Sequence, residues 1–127
     1  MRLAWFSPLP PVRSGIADYS AELLPLLGRD HDVTAFVGSE AELAWARPGV
    51  AVRVAHDFVW TRRQRPFDLV VHQLGNSACH DYAWPYLFRY AGLLVLHDAH
   101  LHQARAHALL RRRRVAAYRA ELAFSHP

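Results

Sequence analysis

Residues 97–102, His97-Asp98-Ala99-His100-Leu101-His102, carry three imidazoles and a carboxylate. Those are ligand types that zinc or iron would take, but the spacing argues against a metal. On a helix His100 and His102 point to nearly opposite sides, and His100 shares a face with His107 instead. The His-Glu-x-x-His pattern is also absent. No metal is expected, and His97 reads better as one imidazole hydrogen-bonding to a ligand or as a structural histidine. Ser14-Gly15-Ile16-Ala17-Asp18 forms a second group, a small-residue turn leading into a helical pattern. Free N–H groups and the positive end of the helix dipole suit an anion there. Neither the G-x-G-x-x-G fingerprint nor a P-loop is present, so Gly15 reads equally as a phosphate cradle and as a plain turn residue. A third group, Gln73-Leu74-Gly75-Asn76-Ser77, offers amides and a hydroxyl to a polyhydroxylated ligand. Asn76 and Ser77 also suit the start of a helix, and both roles are compatible.

These groups would have to be held by the elements around them. Residues 68–74 and 92–98 are apolar runs that finish in polar groups, the pattern of strands buried on both faces in a parallel sheet. Between them residues 79–90 have helical length, with Pro85 expected to kink the helix. Residues 2–6, 32–37 and 50–54 read as three further strands, the last half-exposed. A helix is predicted over residues 16–27, with Ile16, Tyr19, Leu23, Leu24 and Leu27 on one face. Pro25 should kink or shorten it. Ser39 is a plausible helix start with Glu42 in the capping-box position, one or two helical turns are expected over residues 56–63, and residues 99–124 read as helix, broken near the arginines.

Five strands alternating with helices predict an α/β, Rossmann-like, doubly wound parallel sheet in the order 3-2-1-4-5, with helices on both faces. Ligands of such sheets bind beyond the carboxyl ends of the strands, where the strand order reverses. The loops at Ser14, Gly15 and Asn76 and the segment at His97 and Asp98 should meet there.

The 127 residues suit one domain. No run of eighteen apolar residues spans a membrane and no secretory signal opens the chain, so a cytoplasmic address is expected. Cys79 is the one cysteine, which excludes an internal disulfide and the usual structural zinc site. All fifteen basic residues are arginine. Residues 1–99 balance nine of them against ten acids, whereas residues 100–127 hold six against Glu121 alone. The run Arg111, Arg112, Arg113 and Arg114 is most simply a solvated helix face; otherwise it would meet a polyanion or an anionic membrane. Four consecutive residues point around a whole helix and form no stripe, so no nucleic acid is expected, and the alternative partner is an anionic membrane touched peripherally. Trp84, Tyr86, Phe88 and Tyr90 read as core or helix–sheet contacts more readily than as a sugar platform.

The ordered motifs resemble a known family. Residues 7–11, Ser14-Gly15-Ile16-Ala17-Asp18-Tyr19-Ser20, residues 24–27, Gln73-Leu74-Gly75-Asn76, His80, residues 85–87, Arg89-Tyr90 and Val95-Leu96-His97-Asp98 with Leu101-His102 look like the N-terminal domain of retaining GT-B glycosyltransferases of family 4. The resemblance implies two Rossmann-like domains facing across a cleft, the N-terminal one mainly holding the acceptor. Its substrates would be a nucleotide-sugar and a glycan, polysaccharide or lipid-linked acceptor, with no metal or other cofactor. By the same resemblance, Ser14 and Gly15 approach the donor phosphates or the acceptor, His97 contacts the transferred sugar, and Asp98 and Asn76 take sugar hydroxyls. Catalysis would rest on positioning and on stabilising the leaving phosphate. The family's usual glycine pair is Ser14-Gly15 here. The chain ends without the donor-binding second domain, so residues 1–127 are expected to be a single, truncated domain without transferase turnover of its own. A non-catalytic Rossmann-like module that binds a polyanion or partner through its arginines, and a metal-dependent hydrolase using His97, His100 and His102, are the rival readings.

Overall fold

In the computed structural model, which describes residues 1–125, the apolar runs become five strands. They are β1 (Arg2–Phe6), β2 (Asp32–Val37), β3 (Val50–Val54), β4 (Leu69–Leu74) and β5 (Leu93–Leu96). All pair in parallel, in the order β3-β2-β1-β4-β5, which is a Rossmann-like α/β sheet. Strand periodicity of two sorts the core onto both faces. Leu3, Trp5, Val33, Ala35 and Val71 face one cluster with Leu24 and Trp45. Ala4, Phe6, Phe36, Val70 and Leu74 face the other with Phe58, Trp84 and Ala104.

The first cluster is covered by α1 (Gly15–Leu27). Its buried face is Ala17, Ser20 and Leu24, and Tyr19, predicted to face inward, is exposed. The reason is the contact beneath the helix: Ser20 Oγ accepts from Trp5 Nε1 at 3.1 Å and lies 2.7 Å from Ser7 Oγ. Small residues let α1 settle there, and Tyr19 is turned toward the strand ends. Pro25 is accommodated near the C-terminus, where Gly28 N–H closes the helix on the Leu24 carbonyl at 2.9 Å.

The opposite face is covered by α2 (Phe58–Gln64) and α3 (Trp84–Arg89). The helix predicted over residues 79–90 is divided into a 3-10 turn, Ala78–His80, and α3. Pro85 lies in the first turn of α3, where its missing N–H costs nothing, so it starts the helix instead of kinking it. The predicted helix over residues 99–124 begins late and breaks in two, α4 (His102–Arg111) and α5 (Val115–Ser125). Arg113 takes a positive φ of 55° at the break. Arg111 therefore ends α4 while Arg112, Arg113 and Arg114 form an exposed turn, not a helix face. His100 precedes α4 and shares no helix face with His107.

β5 departs most from expectation. Leu93, Leu94 and Leu96 are 51%, 39% and 50% exposed, because β5 is an edge strand paired only with β4. Its position is nonetheless fixed tightly: a Cβ on Gly92 would run into the Val70 carbonyl. No helix among the described residues is long and apolar enough to cross a membrane.

The 3-10 helix Glu40–Trp45 carries the predicted capping box. Glu42 is 3% exposed, and its carboxylate accepts from Ser39 N at 2.9 Å, Ser39 Oγ at 3.0 Å and Leu9 N at 2.9 Å. It thereby ties the loop after β1 to the end of β2. Glu42→Gln puts an amide donor against one of these donors and is expected to cost about 2 kcal/mol. Urea unfolding checks this, and an unchanged midpoint would contradict it.

Candidate functional site

The strand order reverses between β1 and β4, and the segments leaving the carboxyl ends of β1, β4 and β5 border an open cleft of about 560 Å³. Arg13, Ser14, Gly15, Ile16, Asn76, Ser77, His80, His97 and Asp98 line it. Ser14, Gly15, Asn76, His97 and Asp98, distant in sequence, thus line one cleft.

Ser14 caps α1, its Oγ accepting from Ile16 N at 3.2 Å and, weakly, from Ala17 N at 3.5 Å. Gly15 is exposed at the first turn, beside the exposed Arg13. The helix dipole and a guanidinium are both available to an anion here.

Across the cleft, Asn76 acts chiefly on the protein itself. Its Nδ2 donates to the His100 carbonyl at 2.7 Å and its Oδ1 accepts from Ala104 N at 2.8 Å. Its backbone N–H donates to Asp98 Oδ2 at 2.6 Å. The predicted sugar-hydroxyl role of Asn76 is thereby narrowed to one amide hydrogen, and the residue is mainly a clamp on the start of α4. Asp98 keeps its other carboxylate oxygen for a ligand. Gly75 permits this closure, since a Cβ there would lie 2.5 Å from Ile16 Cδ1 and 3.0 Å from Asp98 Oδ2.

His97 is held on three sides. Its backbone N–H donates to the Leu74 carbonyl at 2.9 Å, extending the β4–β5 ladder by one step. Its Nε2 lies 2.6 Å from Oε1 of Gln73, and Tyr19 packs edge-on with ring centroids 5.2 Å apart. With the Gln73 amide in this orientation its oxygen only accepts, so Nε2 of His97 donates to it. Gln73, predicted to offer its amide to a ligand, is fully buried and serves to set the tautomer and tilt of His97. The sequence signal for this was a polar residue in the last inward-facing positions of a buried strand.

Two further histidines are buried. His72 stacks on Phe6 at 5.0 Å and donates from Nε2 to the Tyr90 carbonyl at 3.1 Å. His80 lines the cleft from below. Burial lowers both pKa values from the usual 6.5; the Tyr90 carbonyl opposes this at His72, and the Gln73 carbonyl does so at His80. At His80 the nearby His97 also lowers the value, while Asp98 and Asp81 raise it. Below 6.5 the unfolded chain therefore binds more protons than the folded one, so stability is complete above that pH and falls as the pH drops through it toward the lowered values. The melting temperature is expected to be lower at about pH 5 than at about pH 7.5, and His72→Phe should flatten the dependence. A pH dependence identical in that variant would contradict the assignment.

The remaining histidines do not gather. His102 Nε2 lies 3.4 Å from the Tyr118 hydroxyl, and His107 Nδ1 lies 3.4 Å from Asp81 Oδ2. Among the described residues, no three His, Cys, Asp or Glu side chains are grouped so as to hold a metal ion. Comparisons of the chain with protein-family models, with curated proteins and with solved structures give no match.

Proposed function

We propose that this chain is the acceptor-side domain of a nucleotide-sugar-dependent glycosyltransferase of the retaining GT-B type, acting on a glycan, polysaccharide or lipid-linked acceptor. The observation that carries the reading is the convergence of Ser14, Gly15, His97 and Asp98 on one cleft at the strand-order reversal. The chemistry at the two walls is complementary. The N-terminus of α1 and Arg13 favour the negative charge of a donor or leaving phosphate. His97 and Asp98 opposite offer an imidazole and a carboxylate oxygen to sugar hydroxyls. His97 is oriented before any ligand arrives, because Gln73, Tyr19 and the β5 backbone already fix it. Such preorganisation is what positional and electrostatic catalysis needs. In this reading His97 touches the transferred sugar and Gln73 is a positioning residue.

Calorimetric titration with uridine, guanosine and adenosine diphosphate sugars tests the proposal. Binding of at least one sugar nucleotide, weakened in Gly15→Val and in His97→Ala, is the expected result. Salt decides against the rival: binding that ignores the attached sugar and collapses steeply with rising salt marks a polyanion site at residues 111–114.

A further inference from the structure

His80 is 1% exposed, and neither ring nitrogen makes a hydrogen bond of ordinary geometry with a protein group among the described residues; the Gln73 carbonyl is near enough only to oppose the lowering of its pKa. It differs in this from His72, whose Nε2 is bonded to Tyr90. A buried polar group left without partners costs stability, so a sequence that keeps two such atoms in one ring needs a reason. The location supplies one. His80 forms part of the cleft wall, and its Nε2 lies 3.3 Å from where a Cβ on Gly75 would stand. Asp98 Oδ2 lies 3.0 Å and Ile16 Cδ1 2.5 Å from the same point. The ring nitrogen, a carboxylate oxygen of Asp98 and the flexible end of Ile16 thus surround the space that a side chain at position 75 would fill.

We propose that His80 is a ligand-binding and specificity residue of this cleft, taking a hydroxyl of a sugar or other polyol that displaces the end of Ile16. The inference rests on the glycosyl-transfer reading of the cleft and adds a contact to it. The match is chemical. Burial keeps the ring neutral near pH 7, so one nitrogen donates and the other accepts, as a hydroxyl does. A phosphate would instead call for a protonated ring at this depth. Asp98 would receive a neighbouring hydroxyl of the same sugar, which gives two adjacent contacts and a means of distinguishing epimers.

The experiment uses the 127-residue chain with methyl α-glucoside, methyl α-mannoside and methyl α-galactoside as probes. Imidazole nitrogen shifts are followed by NMR, alongside thermal unfolding of His80→Phe and His80→Gln. One glycoside is expected to move both His80 nitrogens. His80→Phe, which replaces the two unpartnered atoms with carbon, is expected to melt several degrees higher while binding that glycoside about tenfold or more weakly. His80→Gln, with a donor and an acceptor, should retain part of the affinity. A structural histidine would behave oppositely: His80→Phe would melt lower and binding would be unchanged. Glycoside binding without a shift at His80 overturns this inference and leaves the cleft reading standing, whereas absence of any glycoside or sugar-nucleotide binding overturns both.

Discussion

His97→Ala is expected to reduce kcat/KM for sugar transfer by about 10²–10³-fold in an active transferase containing this domain, while changing stability by less than about 1 kcal/mol. The two effects separate because of where the ring lies. It is exposed at the end of an edge strand, so its removal leaves no core cavity. Its side-chain contacts are to Tyr19, itself 44% exposed, and to the single acceptor Gln73 Oε1. What is lost is an oriented ring over the cleft, with Nε2 bonded inward to Gln73. Gln73→Leu is a useful companion, since it leaves the ring in place but removes the bond that fixes its tautomer. Steady-state kinetics and thermal unfolding of the same samples check the pair. Unchanged turnover in His97→Ala removes that residue from the mechanism.

Asn76→Ala should be the most damaging substitution at the cleft for stability, by about 3 kcal/mol. Both ends of the side-chain amide are bonded to backbone, at the His100 carbonyl and at Ala104 N. Ala104 is fully buried, so its N–H would be stranded near the start of α4, where no preceding turn can accept it. Loss of the clamp also frees the segment from Asp98 to Leu101, so ligand binding falls together with stability. Asn76→Asp keeps an acceptor for Ala104 N but faces a carboxylate oxygen toward the His100 carbonyl, and intermediate damage is expected. Denaturant titration gives the energies, and hydrogen exchange at Ala104 shows whether the loss is local. Wild-type protection of that amide in Asn76→Ala would contradict the account.

The strands and their order were legible because each apolar run is short, bounded by polar or turn residues and long enough to cross one sheet. Within them, side-chain alternation puts neighbours such as Trp5 and Phe6 on opposite faces of the sheet. Loops leaving the carboxyl ends of β1, β4 and β5 had to meet, which explains why Ser14, Gly15, Asn76, His97 and Asp98 line one cleft. The local reading failed where a side chain's partner lies far along the chain. Tyr19 has the spacing of a core residue but is turned outward by the small-residue contact of Ser20 with Trp5 and Ser7. Asn76 has the composition of a helix cap but spends its amide 24 and 28 residues away. Gln73, read as an amide offered to a ligand, is buried, and so is His80. The exposure of β5 could not be read from four consecutive apolar residues, because edge and central strands share that pattern.

Mapping the chain by two-dimensional NMR while a sugar nucleotide is added tests the cleft most directly. The account predicts that the largest shifts fall on the backbone amides of Gly15 and Ile16 and on the His97 ring, and that His97→Ala reduces them. Shifts confined to residues 111–114, or spread along β5 without touching Gly15 and His97, would contradict it.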